Sequence, residues 1–280
     1  MPRPSQPPRL VAADLDGTLL LNDSHELSPV TVDAARVLGE MGIPMVLVTG
    51  RMFGSAERFA RQLGLDGPLA AYQGALIREV GTGKVLHHDP LPLELALEIL
   101  EFVEGSECPV NVYLDDCLFV AKRDFFIERY ERISGMEAHV VGPLLDFLDR
   151  PPTKIGMGGE PDAVTDMLER LRGRFAGRAN AVKTWPFFLE MTQPSATKSR
   201  ALELLGERMG FSAAEVLAFG DSYNDADMLA WAGTGVAMAD APAEVAAMAD
   251  HVCPSVDDEG FARYLAAQTW FPGAALRARF

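Results

Sequence analysis

The feature that most restricts the fold is a four-residue apolar run, Leu10-Val11-Ala12-Ala13, which passes directly into Asp14-Leu15-Asp16-Gly17-Thr18. An apolar run with no polar alternation is covered on both faces, the signature of a buried parallel strand, and the glycine after the two carboxylates opens it into a loop. In open α/β sheets, ligands gather at that C-terminal end. Two carboxylates this close both stay ionised only where a cation or strong donors neutralise them. The pair therefore points to a hard metal ion with oxygen ligands, Mg²⁺ above all. Acidic residues after a strand also serve as turn formers and helix caps, and Asp14 and Asp16 alone do not choose between the two readings.

Further along, Ser28-Pro29 starts a helical pattern with Val32, Ala35, Val37 and Leu38 on its packing face and Gly42 closing it. A second buried strand over 43–48 ends in Thr49-Gly50-Arg51. A hydroxyl, a backbone amide freed by glycine and a guanidinium suit an anion there, and a turn capped by Thr49 accounts for the same residues. A helix over 55–63 and a strand over 69–72 follow, before Gln73-Gly74-Ala75. Strands alternating with helices predict a doubly wound parallel sheet.

From Gly81 the rhythm changes, and Gly81-Thr82-Gly83 reads as a hinge. Hairpins and helices then interleave. Helices are expected over 93–104, 125–133 and 162–174, and a hairpin over 110–121 turns at Asp115-Asp116. Strands are expected at 139–141, 154–157, 179–184 and 187–191. This pattern predicts an inserted α+β domain over 82–188, with residues 1–81 and 189–280 forming the core domain. His87-His88, Asp115-Asp116 and Lys183 are candidate substrate contacts, with solvated surface roles the commoner alternative. Trp185-Pro186-Phe187-Phe188 reads as core or interface.

The parallel pattern resumes after Pro194-Ser195-Ala196-Thr197 with a helix that begins at Lys198. A cation has the wrong sign for a helix N-terminus, so an anion beside Lys198 is expected; a solvated surface lysine is the bland alternative. A strand over 216–219 ends in Gly220-Asp221-Ser222-Tyr223-Asn224-Asp225. If it lies beside the first strand, Asp221 faces Asp14 and Asp16, and three or four oxygen ligands make a Mg²⁺ site. A short strand at 235–238 and a helix at 243–248 complete the core.

With 280 residues the chain can bury a large core, and apolar residues make up 48% of it. The formal net charge of −15 argues against nucleic acid or an anionic membrane as the main partner. Any phosphate must then be held by local groups. The three cysteines, Cys108, Cys117 and Cys253, form no CxxC pair, which fits a reducing cytoplasm better than a disulfide framework or a zinc site. Residues 1–9 are expected to be a disordered proline-rich leader without the apolar segment of a secretory signal. No run approaches the ~18 apolar residues of a membrane helix. A monomer or small homo-oligomer is expected.

Taken together, Asp14-Leu15-Asp16-Gly17-Thr18, Thr49-Gly50-Arg51, Lys198 and Gly220-Asp221-Ser222-Tyr223-Asn224-Asp225 resemble the four motifs of the haloacid dehalogenase superfamily. The likeness is to its Cof-type phosphatases with a C2B cap, and Val236-Ala237-Met238, Ala249-Asp250 and Asp258-Glu259-Gly260 extend it over nearly the whole chain. Gln73, Ser199 and Val256 depart from the family's usual Asn, Gly and Asn. The resemblance implies a Rossmann-like core with an inserted cap, and a Mg²⁺-dependent phosphomonoesterase, with sugar phosphates as the expected substrates. It implies Asp14 as nucleophile, Asp16 as acid and base, and Thr49 and Lys198 as binders of the phosphoryl oxygens. Mg²⁺ would be held by the Asp14 carboxylate, the Asp16 carbonyl and Asp221, with Asn224 and Asp225 in support. Gly50, Arg51, Gln73 and Gly74 are candidate substrate contacts. Glu190 also matches the family pattern, with no role assigned. A phosphotransferase or phosphomutase using the same intermediate, or a catalytically silent phosphate-binding regulator, are the alternatives.

Overall fold

In the computed structural model, which describes residues 6 to 272 together with Leu276, the run Leu10–Ala13 is strand β1, buried along its whole length. The leader expected at 1–9 lies outside the described residues as far as residue 5, as does most of the end of the chain beyond 272. After β1 come α1 (Pro29–Glu40), β2 (Met45–Leu47), α2 (Phe53–Gln62), β3 (Pro68–Ala71), β4 (Leu76–Glu79) and β5 (Val85–His88). The middle of the chain forms α3 (Leu93–Val103), β6 (Val110–Leu114), β7 (Cys117–Val120), α4 (Phe125–Ser134), β8 (Ala138–Val140), α5 (Leu144–Phe147), β9 (Lys154–Gly158), α6 (Pro161–Phe175), β10 (Asn180–Trp185) and β11 (Phe188–Thr192). Then follow α7 (Lys198–Met209), β12 (Val216–Gly220), α8 (Ala226–Trp231), β13 (Thr234–Met238), α9 (Ala243–Ala246), β14 (His251–Cys253) and α10 (Gly260–Ala266).

The core sheet has the order β14-β13-β12-β1-β2. Every neighbouring pair in it is parallel. Because β2 follows β1 on one side while β12 lies on the other, the strand order reverses at β1, and the crevice at the C-terminal ends of β1 and β12 is a topological switch point. Asp14 follows β1 and Asp221 follows β12, so the two acidic loops emerge side by side. Helix α1 begins where expected, with the Ser28 hydroxyl accepting from the Thr31 N–H and Pro29 in the first turn. Its buried face is Thr31, Ala34, Ala35 and Leu38; Val32 and Val37, expected on that face, are only partly covered.

Strand β3 departs from the expected parallel pattern: it meets the core sheet only through a single parallel bridge between Val48 and Ala70. It otherwise pairs antiparallel with β4, which pairs with β5. Gly81-Thr82-Gly83, expected as a hinge, is therefore the turn of the β4–β5 hairpin, with Gly83 at φ 70° supplying the left-handed residue.

The second large sheet has the order β10-β11-β9-β6-β7-β8 and is antiparallel apart from the β7–β8 pair. Alternation gives it two faces. Val112, Ile155, Met157, Leu189 and Met191 pack against apolar side chains of α3 and α6. Tyr113, Lys154, Phe188 and Glu190 lie on the opposite face, toward α4 and the parallel core.

Candidate active site

Two loops deliver three carboxylates to one point. Asp14, Asp221 and Asp225 each place an oxygen within 4.8 Å of the others. Lys198, the first residue of α7, is fully buried among them. Its Nζ stands 2.6 Å from Asp225 Oδ1 and 2.8 Å from Asp14 Oδ1, the latter an ion pair without hydrogen-bond alignment. The anion expected beside this lysine is therefore supplied by the protein. Burial works against the ammonium, but Asp14 and Asp225 outweigh it and hold the Lys198 pKa above its ordinary value.

The carboxylates respond the other way. Burial, with repulsion from Asp225 and Asp16, pushes Asp14 up to about 7 despite Lys198. Burial, followed by repulsion from Asp225 and Asp14, raises Asp221 well above the usual carboxylate range. Asp225 Oδ2 accepts the N–H groups of Asp221 and Ser222, both at 3.0 Å, and so shapes the loop after β12. Thr18 donates its hydroxyl to Asp221 Oδ1 at 2.8 Å. Gly17, at φ 74°, lets the first loop close against Asp221, whose carboxylate occupies the place a Cβ would need.

Above this floor lies a cavity of about 250 Å³. Asp14, Asp16, Gly17, Asn22, His25, Thr49, Gly50, Arg51, Gln73, Asp221 and Asn224 line it from the core, and Tyr130, Ser134, Thr184, Trp185 and Glu190 from the second sheet and α4. Arg51 is not free for an anion. Its Nε and Nη2 bind the two Asp16 oxygens at 2.6 and 2.5 Å. Its Nη1 reaches Ser55 Oγ, which donates to the Ser134 carbonyl at 2.6 Å. Burial opposes the guanidinium charge, and Asp16 more than restores it, leaving the Arg51 pKa raised. Thr49 is buried at the cavity wall and accepts the Arg51 N–H at 3.2 Å.

Asn224 donates to Gln73 Oε1 at 3.1 Å, and Gln73 Nε2 donates to Glu190 Oε2 at 3.4 Å. Gly74 does not line the cavity, contrary to the sequence expectation. It lies against the Thr197 carbonyl at the start of α7, and a Cβ there would come within 2.6 Å of that oxygen. Its role is close packing of the helix that carries Lys198.

Besides the lining residues Asn22, His25, Tyr130, Ser134 and Thr184, sequence reasoning missed the parts that four residues play. Lys154 is fully buried, with Nζ 2.5 Å from Glu190 Oε1 and 3.2 Å from the Gly50 carbonyl, over the rings of Tyr113 and Tyr72. Glu190, which carried no assigned role, thus joins the Gly50 and Gln73 loops to the second sheet. Asp116, expected as a candidate substrate contact or, more commonly, a solvated hairpin tip, instead accepts the N–H groups of Phe53 and Gly54 at 2.9 and 2.8 Å and the Tyr72 hydroxyl at 2.8 Å. Trp185, read as core or interface, stacks on Phe187 and also lines the cavity. His88 instead pairs with Thr153, and Lys183 with Thr165, both outside the cavity lining.

The family model for haloacid dehalogenase-like hydrolases matches residues 11–265. The chain is 30% identical over 244 residues to the HMP-PP phosphatase of Escherichia fergusonii, an alignment covering 87% of this chain and 89% of that protein. Among solved structures, it resembles a haloacid dehalogenase-like hydrolase from Bacteroides thetaiotaomicron with a TM-score of 0.83 at 26% identity, covering 97% and 99% of the two chains. A Thermotoga maritima structure aligns with a TM-score of 0.79 at 30% identity over 91% and 95%. The chain, with its four motifs meeting at one switch point, belongs to the haloacid dehalogenase-like hydrolase family.

Proposed function

We propose that this protein is a phosphomonoester hydrolase that acts on small phosphorylated metabolites through an aspartyl-phosphate on Asp14, with Mg²⁺ as cofactor. The observation that carries the reading is the buried Lys198 ammonium between Asp14 and Asp225, at the floor of a cavity into which Asp14 and Asp221 open. A relative named as a phosphatase aligns over most of both chains and supports the same reaction class.

The donor set fits a small hard cation. All the converging donors are carboxylate oxygens, and in the metal-free arrangement burial and mutual repulsion raise Asp14 and Asp221. Asp225 is engaged by Lys198 and two backbone N–H groups. Asp14 and Asp221, with the Asp16 carbonyl, are the residues that would hold the ion, while Asn224 fixes Gln73. Bound Mg²⁺ supplies positive charge that offsets the repulsion between a carboxylate and a phosphate dianion.

In the proposed reaction an Asp14 oxygen attacks phosphorus and the bond to the leaving oxygen breaks. Asp16, once one of its oxygens has left Arg51 and taken a proton from water, gives that proton to the leaving oxygen and later takes one from the water that hydrolyses the acyl phosphate. Arg51 aims Asp16, and one Asp16 oxygen must leave the guanidinium to meet the leaving group. Lys198 and the Thr49 hydroxyl stabilise the transferring oxygens. The inserted unit, expected over 82–188, we place between the Asp89-Pro90 and Gln193-Pro194 connections because β5 pairs with β4; it roofs the cavity and limits water. Phosphate release from a panel of phosphomonoesters, with Mg²⁺ or with chelator, tests the reading. Metal-dependent release is expected, and silence across the panel would remove the reading.

A further inference from the structure

Gln73 carries a strained backbone beneath a side chain that is bonded at both ends. Its φ of 60° and ψ of 18° lie in the left-handed region, where glycine and asparagine are at ease and a longer side chain is not. Strain of this kind persists only where the surroundings hold it. Here the Gln73 N–H donates to the Thr49 carbonyl at 2.9 Å, and the side chain is buried. Gly50 leaves the amide its place, because a Cβ there would collide with Gln73 Nε2.

The amide joins two parts of the chain that belong to different sheets. Gln73 Oε1 accepts from Asn224 Nδ2 at 3.1 Å, and Asn224 lies on the loop after β12. Gln73 Nε2 donates to Glu190 Oε2 at 3.4 Å, and Glu190 stands on β11 in the roof of the cavity. The other Glu190 oxygen is held by buried Lys154, which also binds the Gly50 carbonyl. The roof end of the link is therefore anchored. At 3.4 Å the bond to Glu190 is near the limit of reach. An asparagine, with an amide about 1.5 Å closer to the backbone, would suit the left-handed conformation better and could not bond at both ends.

The loop that holds Asn224 is also the loop that carries Asp221. Asp225 fixes its first turn by accepting the N–H groups of Asp221 and Ser222, and the Asn224 side chain ties it across the cavity to Gln73. Strand β10 of the roof passes beside residues 223–225. Groups that orient a metal ligand from behind set much of a site's affinity for its ion.

We propose that Gln73 is a positioning residue: by spanning Asn224 and Glu190 it holds the Asp221 loop against the roof, and so strengthens the hold of Asp14 and Asp221 on Mg²⁺. The assignment rests on the metal-dependent phosphatase reading and adds the residue through which the roof acts on the metal site.

The test is calorimetric titration of Mg²⁺ into the substrate-free protein. Wild type is compared with Gln73→Asn, with the paired change Lys154→Met and Glu190→Leu, which replaces the buried ion pair by apolar groups, and with all three together. Melting in chelator checks that each is folded. Gln73→Asn should bind Mg²⁺ about tenfold more weakly with a metal-free melting temperature equal to wild type or higher, and excess Mg²⁺ should recover part of its phosphate release. The paired roof change should also weaken Mg²⁺ binding, and the triple variant should be no weaker than the weaker of the two. Unchanged Mg²⁺ affinity in Gln73→Asn, losses that add in the triple variant, or a metal-free melting temperature several degrees lower in Gln73→Asn overturns the positioning role and leaves the phosphatase reading intact. A wild type that neither binds Mg²⁺ nor releases phosphate overturns both.

Discussion

Arg51 holds Asp16 by both carboxylate oxygens, with Nε and Nη2 at 2.6 and 2.5 Å. The guanidinium is buried, so the pair fixes where the Asp16 side chain can stand relative to Asp14. Arg51→Met removes the fork and leaves Asp16 without it. We expect a loss of about 2 kcal/mol in stability and a fall in kcat of at least ~10-fold, because misplacement of a proton-transferring group is expensive. Arg51→Lys keeps the charge without the two-pronged geometry and should recover stability better than kcat. Thermal melting and steady-state kinetics on both variants measure the two effects.

Asp116 caps a helix that belongs to another part of the chain. Helix α2 has Met52 at its N-cap position with no side-chain bond, and the orphan N–H groups of Phe53 and Gly54 are taken by Asp116 from the β6–β7 turn. Burial raises the Asp116 pKa, with the Tyr72 hydroxyl and the two N–H groups acting against that rise. Asp116→Ala should cost about 1–2 kcal/mol, seen as a melting temperature lower by a few degrees, and Asp116→Asn should lose less.

The raised Asp14 pKa makes metal-free stability depend on pH with a definite sign. The ordinary value is 3.8 and the folded value about 7. Between them the folded chain keeps a proton that the unfolded chain releases, so the contribution is full below about 4 and is lost as pH rises through about 7. In chelator, the melting temperature should fall across that window. Mg²⁺ should restore it, most strongly at the upper end.

Lys154 and Glu190 form a buried pair, 2.5 Å apart, that also touches the Gly50 carbonyl and Gln73. Lys154→Met leaves a buried carboxylate unpaired and should cost roughly 3–5 kcal/mol. Adding Glu190→Gln should recover part of that loss. A double-mutant cycle by denaturant unfolding reads the coupling, and additive losses would show that the pair contributes no specific energy.

What could be read in the sequence was local. β1 begins and ends at Leu10 and Ala13 because its burial on both faces leaves an uninterrupted apolar run. The β6–β7 turn falls at Asp115-Asp116, both at positive φ, where aspartate is tolerated. The carboxylate loops after β1 and β12 meet because parallel α/β topology brings strand ends together. What could not be read depends on distant partners. Gly81-Thr82-Gly83 suits a hinge or a hairpin equally, and only the pairing of β5 with β4 decides. Nothing near Lys154 in the sequence announces Glu190, 36 residues away, as its partner. Asp116 is 63 residues from the Phe53 N–H it satisfies.

The most direct test is whether Asp14 carries the phosphoryl group during turnover. Acid quench of the Mg²⁺-loaded enzyme with a turned-over phosphomonoester, followed by peptide mass spectrometry, should find one phosphoryl group on the peptide containing Asp14. The Asp14→Asn variant should show neither the adduct nor phosphate release. Phosphate release that persists in Asp14→Asn, or an adduct on another residue, would contradict the account.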